Sequence, residues 1–221
     1  MLSDIIIVFM EWIGTVSFAI SGALVAIRCG LDLFGVLTVG SITAVGGGMI
    51  RDVLIGNTPP KIFSNPLILL VAVVTALLVF VFAYIYRKNF QKFSEKAETV
   101  NILFDALGLA AFSVTGVEIV CLSPYGDNVL LAITLGVLTG VGGGVLRDIL
   151  VNEKPYILTK HVYASVSILS CCLYYLLSVV AGYKVFGTFF SVIFTVVMRM
   201  LAAKLRWKLP KINFTDNDNS L

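Results

Sequence analysis

Charge is scarce in this chain. Sixteen Lys and Arg with thirteen Asp and Glu make up 13% of its 221 residues, where a water-soluble domain carries about a quarter. A net charge of +3, with basic residues set between apolar segments and not along one face, excludes a nucleic-acid surface. Histidine is reduced to His161, which stands alone beside a loop and reads as solvated. Cys29, Cys121, Cys171 and Cys172 have no C-x-x-C spacing, which excludes the usual zinc and thiol-redox motifs and leaves them as small hydrophobes. No G-x-x-x-x-G-K-[ST] loop exists to hold ATP. Gly140-Val141-Gly142 opens like a dinucleotide fingerprint, but no strand precedes it. No nucleophile-and-base pair or metal-ligand spacing is present, so no catalytic residue, metal or cofactor is expected. The N-terminus carries Asp4 and Glu11 in place of a basic region, which favours a retained first span over a cleaved signal peptide.

What fills the chain instead is apolar sequence, 58% of all residues, with a mean hydropathy of +0.98. Runs of about 20 apolar residues recur along it, the signature of helices that cross a bilayer. Seven spans are predicted, at 5–27, 34–55, 66–86, 101–121, 129–151, 162–181 and 185–205. Pro59, Pro60, Pro66, Pro124 and Pro155 mark the connections, where a missing N–H does no harm. Basic residues crowd alternate loops: Arg28, then Arg87, Lys88, Lys92 and Lys96, then Lys154 and Lys160, then Lys204, Arg206, Lys208 and Lys211. The other side has only Lys61 and Lys184 outside the motif described next. The positive-inside rule then puts the N-terminus outside and the C-terminus in the cytoplasm, a result that seven spans satisfy and six or eight would not. The expected organisation is one all-α membrane domain over 1–209, followed by a polar cytoplasmic tail at 210–221.

One motif occurs twice. Thr43-Ala44-Val45-Gly46-Gly47-Gly48-Met49-Ile50-Arg51-Asp52 returns 96 residues later as Thr139-Gly140-Val141-Gly142-Gly143-Gly144-Val145-Leu146-Arg147-Asp148. Thr38 and Thr134, Gly40 and Gly136, and Pro59 and Pro155 keep the same offset. The preceding spans match at an offset of 94, pairing Glu11 with Asp105, Gly14 with Gly108, Phe18 with Phe112, Ser21 with Thr115 and Gly22 with Gly116. Each unit (about 5–86 and 101–181) holds three spans, so the second lies inverted relative to the first, and the seventh span has no partner.

Three adjacent glycines weaken a helix by about 1 kcal/mol each relative to alanine. Spans two and five are therefore expected to break into half-helices at Gly46, Gly47 and Gly48 and at Gly142, Gly143 and Gly144. Free carbonyls at such breaks favour a cation, and free N–H groups favour an anion. The competing reading is close helix packing, to which the G-x-x-x-G pair Gly136 and Gly140 already points. Thr43, Thr139, Ser17, Ser21, Ser113 and Thr115 either line a passage or bond the carbonyl one turn back. Adjacent helical residues point about 100° apart, so Arg51-Asp52 and Arg147-Asp148 are not expected to pair internally. Counting about 1.5 Å per residue puts Arg51 some 25 Å along its span. Two charge clusters, one at each mouth, are expected in preference to cross-pairing, with plain anchoring at the interface as the alternative. Glu11 and Asp105 either mark an ion route or are solvated at span ends, as Glu118 also would be.

The paired G-G-G-x-x-R-D motifs at Gly46 to Asp52 and Gly142 to Asp148, with Phe18-Ala19-Ile20-Ser21-Gly22-Ala23-Leu24 upstream, resemble the trimeric intracellular cation (TRIC) channel superfamily. The closer resemblance is to its branch of small bacterial inner-membrane proteins also described as glycine transporters. That resemblance implies a homotrimer in a bacterial inner membrane, with one passage per protomer lined by spans two and five and conducting potassium and other monovalent cations. Three functions are then in contention. The first is a passive cation channel, the second a carrier for a small zwitterion such as glycine, and the third a helical protein without transport. The third leaves the twin glycine motifs unexplained.

Overall fold

The structure, a computed structural model, describes residues 2–86, 94–159, 162–205 and 207. The tail at 210–221, His161 and the loop residues Arg87, Lys88 and Lys92 lie outside the described residues. The chain order is α1 (Leu2–Arg28), α2 (Leu33–Leu54), α3 (Lys61–Ser64), α4 (Leu67–Ile85), α5 (Ser94–Cys121), α6 (Val129–Leu150), α7 (Tyr156–Thr159), α8 (Tyr163–Tyr174) and α9 (Lys184–Lys204). A π-helical turn, Tyr175–Val180, prolongs α8. Among the described residues, seven helices are long and apolar enough to cross a membrane, counting α8 with its π-turn as the span Tyr163–Val180. The chain is an all-α membrane protein with two inverted three-span units and an extra span.

The same local devices build both units. Asp32 caps α2 by accepting from the Gly35 N–H at 2.8 Å, and Asn128, at the corresponding place, caps α6 through the Leu131 N–H at 3.0 Å. Both helices end in the same left-handed closure. Gly56 (φ 77°) and Asn152 (φ 58°) direct the next N–H back to Asp52 and Asp148 respectively, at 2.8 Å in each case.

The two units meet along α1 against α5 and α2 against α6, with α4 covering α1 and α2, and α8 covering α5 and α6. Glycine sets how close they come. Gly14 receives the Phe112 ring and Gly108 receives Phe18, and the two rings sit 5.4 Å apart between the helices. A Cβ at Gly47 would fall on the Thr139 carbonyl oxygen, and one at Gly143 on the Thr43 carbonyl oxygen. Gly46, Gly47, Gly142 and Gly143 are therefore packing residues, and α2 and α6 run unbroken through both triplets. The expected division into half-helices is thus corrected. Close backbone approach outweighs the intrinsic propensity penalty, because tertiary packing commonly overrides local preference.

The interior of this bundle mixes apolar clusters with many polar side chains, and its exterior is apolar. Ser21, Thr43, Ser113, Thr115, Thr139 and Ser167 are all buried, whereas Phe34, Leu78, Phe82, Leu130, Phe186 and Ile193 are exposed. That is the arrangement required when the surrounding solvent is lipid and each polar group must find an internal partner. The extra helix α9 packs mainly on α5 and α8, in the second unit, and touches α1 of the first only lightly.

Candidate functional site

Two charge clusters lie on opposite sides of the α2–α6 crossing. Arg51 and Arg147 each follow the contacting glycine by four residues, about 6 Å along the helix. They therefore lie one turn from the crossing and also in the last turn of α2 and α6, because the two helices cross off-centre. Glu11 and Asp105 each lie seven residues before the phenylalanine that meets its counterpart at the α1–α5 crossing, about 10 Å away.

In the first cluster, Arg51 does pair with its neighbour. Its Nε and Nη2 donate to Asp52 Oδ1 at 2.9 and 2.7 Å. The 100° argument governs Cβ directions, but a long guanidinium side chain folds back and offers its fork sideways. The other carboxylate oxygen, Asp52 Oδ2, accepts from the backbone N–H of Lys61 at 2.9 Å, holding the start of α3. Lys61 Nζ donates to Glu11 Oε2 at 2.7 Å. Glu11, Thr15, Gly48, Arg51, Asp52 and Lys61 line a cleft of about 30 Å³, room for about one water molecule, so Gly48 is the glycine that borders an opening as expected.

The second cluster repeats the plan and closes it. Arg147 Nε donates to Asp148 Oδ1 at 2.8 Å, while Asp148 Oδ2 accepts from the Tyr156 N–H at 2.8 Å. Arg147 Nη1 donates to Asp105 Oδ1 at 2.8 Å and to Ser21 Oγ at 2.6 Å, and the Ser21 hydroxyl donates in turn to Asn101 Oδ1 at 2.8 Å. Tyr163 Oη donates to Asp105 Oδ1 at 3.4 Å. From α9, Arg199 Nη2 comes within 3.5 Å of Asp105 Oδ2, its guanidinium 4.3 Å from the centre of the Tyr163 ring. Arg147 and Asp105 are wholly buried. A Cβ on Gly144 would be 3.1 Å from Tyr163 Oη, whereas one on Gly48 would meet only Arg51 Nη2 at 3.6 Å.

The structure brings Arg51, Asp52 and Glu11 into one cluster and Arg147, Asp148, Asp105 and Ser21 into the other, with no cross-pairing among them. Gly46, Gly47, Gly142 and Gly143 hold the helices together and face no opening. Thr43 and Thr139 each donate to the carbonyl one turn back, Val39 and Leu135, at 2.6 Å, and Thr115 reaches the Phe112 carbonyl at 3.5 Å. Ser17 is buried, and Ser113 pairs with Ser167 at 2.8 Å. Glu118 is buried and held by Tyr174 Oη and Lys184 Nζ, both at 2.9 Å, and so is not solvated. Four members were not expected at the site: Lys61, read only as a topology signal, and Asn101, Tyr163 and Arg199. Arg199 alone carried a usable signal, a charge within an otherwise apolar span.

This duplicated geometry has relatives. The family model described as Glycine transporter matches twice, over residues 8–84 and 102–179, once for each unit. The UPF0126 inner membrane protein YadS of Escherichia coli (strain K12) is 34% identical over 216 residues, covering 96% of this chain and 99% of its own. The solved TRIC trimeric intracellular cation channel orthologue from Rhodobacter sphaeroides superposes with a TM-score of 0.80 at 30% identity, over 91% of this chain and 99% of that one. A prokaryotic TRIC channel solved in 0.5 M KCl gives 0.81 at 33% identity, over 93% of this chain and all of the other. Two matches end to end, one in each inverted unit, establish that the chain belongs to the Glycine transporter family of UPF0126 membrane proteins.

Proposed function

We propose that the protein is a passive channel for monovalent cations, potassium foremost, with one passage inside each protomer of a homotrimer. The observation that carries this reading is the pair of buried charge clusters, related by the inverted repeat, on either side of the α2–α6 crossing. Ionisable groups at such depth are costly in a membrane protein and mark ion routes. With the helices unbroken, the passage runs beside the glycine contact and not through it. It enters at the Glu11–Lys61 cleft and meets the Asp105–Arg147 cluster on the other side. Carboxylates raise the local cation concentration, and the clustered hydroxyl and carboxylate oxygens replace part of the ion's water shell. By the positive-inside rule the cleft faces the outside of a bacterial inner membrane and the second cluster faces the cytoplasm. The similar solved channel from Rhodobacter sphaeroides, described as a trimeric cation channel, supports both the ion class and the assembly.

The family's description favours a second reading, a carrier for glycine. One preparation of proteoliposomes separates the two. Potassium flux that does not saturate, with unitary currents in a planar bilayer, supports the channel. Saturable uptake of labelled glycine without potassium current would replace it with the carrier.

A further inference from the structure

Glu11 and Asp105 are equivalent in the repeat but differ in what neutralises them. Glu11 is served by Lys61, whose side chain is 43% exposed. The position 96 residues after Lys61 is Ile157, so Asp105 inherits no such partner. Its Oδ1 is held by Arg147, and its Oδ2 faces Arg199 Nη2 across 3.5 Å. Neither Asp105 Oδ2 nor Arg199 Nε makes a hydrogen bond among the described residues, although both residues are buried. Arg199 thus provides charge without the directed bonds of a bidentate bridge. It comes from the one spanning helix outside the repeat, which joins α8 through the π-helical turn, an irregularity frequent where helices serve function.

We propose that Arg199 is a tethered counter-ion occupying a cation site at Asp105, and that it plugs the second half of the passage. The inference rests on the channel reading. With Arg199 in place, two guanidinium groups balance the carboxylates of Asp105 and Asp148. Once it withdraws, the cluster holds one uncompensated negative charge. Asp105 Oδ2, Tyr163 Oη and the face of the Tyr163 ring then offer an alkali cation oxygen and π-electron contacts. The first half needs no such plug, because Lys61 already stands at an opening.

The test uses full-length protein in proteoliposomes. Arg199→Gln, and Arg199→Met as a second variant that keeps the bulk of the stem, are expected to pass potassium several-fold faster than the parent. Arg199→Lys keeps the tethered charge and should stay near the parent rate, and Asp105→Asn combined with Arg199→Gln should lose the gain. A readout independent of flux is Ser21→Cys with the four native cysteines replaced by alanine. Its thiol should resist a water-soluble reagent with Arg199 present and react in the Arg199→Gln background, with potassium slowing that reaction. If no version conducts while the thiol still opens and potassium still protects it, the channel reading falls and the plug stands. If every version conducts at one rate and the thiol stays closed, the plug is overturned.

Discussion

Glu11 and Asp105 descend from the same position of a duplicated plan, yet one borders a cleft and the other is sealed. Around Glu11 the cluster comprises two separate pairs, Glu11 with Lys61 and Arg51 with Asp52. Around Asp105 the charges merge, since Arg147 touches both carboxylates and Arg199 adds a second cation. The shared parts are those that shape the scaffold: the glycine contacts, the capped helix starts, and an aspartate that ties each arginine to a short helix. Among the parts that differ are Lys61, the first residue of the short helix α3, and Arg199 of α9. Duplication therefore supplied a symmetric frame, and elements that escape the symmetry determine which half is open.

The strongest way to break this comparison is at the shared frame. Gly47→Leu and Gly143→Leu should each prevent recovery of folded protein by size-exclusion chromatography. Each side chain would meet a backbone carbonyl that cannot move aside, at a cost of about 3 kcal/mol or more. A variant that folds while its counterpart does not would show that the crossing is not shared equally.

The next largest effect should separate the halves. Asp105→Asn leaves Arg147 and Arg199 short of a buried partner and should cost about 3–5 kcal/mol in reversible unfolding from detergent. Glu11→Gln removes a pair whose lysine reaches water and should cost about 1 kcal/mol or less. Equal losses would mean that the first cluster is as closed as the second.

Asp52→Ala and Asp148→Ala should bring the halves together again. Each removes a carboxylate that binds an arginine with one oxygen and a short-helix N–H with the other. A loss of about 2 kcal/mol is expected for each, measured in the same unfolding assay. The smallest effect belongs to the helix ends. Gly56→Asn copies the residue found at Asn152 into open space and should be nearly neutral, whereas Gly56→Ala should cost about 1 kcal/mol because alanine resists a positive φ.

Much of this frame was legible in the sequence because lipid and duplication both leave periodic marks. The seven apolar runs reappear as helices shifted by three residues or fewer at either end. The 96- and 94-residue offsets identified the pairs, such as Gly14 with Gly108, that now fit one another's aromatic partners. The glycine triplets were located correctly and first read as breaks, since propensity is local whereas the Thr139 and Thr43 carbonyls that need the space are distant in sequence. The Arg51–Asp52 bond was hidden by reasoning from Cβ directions, which ignores the reach of arginine. Counting from the span's start put Arg51 near the end of α2, where its last turn holds it, but nothing in one helix reveals where another crosses it. Arg199 and Tyr163 were missed because a search guided by the repeat pays no attention to residues without a counterpart.

The off-centre crossing has a mechanical consequence. In α2, fourteen residues precede Gly47 and seven follow it, and α6 is divided in the same way at Gly143. Two stiff rods bearing on each other at such a point form a pair of opposed steelyards. A tilt about the glycine fulcrum moves the long arm's capped tip, at Asp32 or Asn128, about twice as far as the short arm's tip, because displacement scales with the length of helix beyond the fulcrum, about 1.5 Å per residue. Motion at the loops is thereby geared down before it reaches Arg51 or Arg147, so a coarse push at either surface becomes a fine adjustment beside the carboxylates.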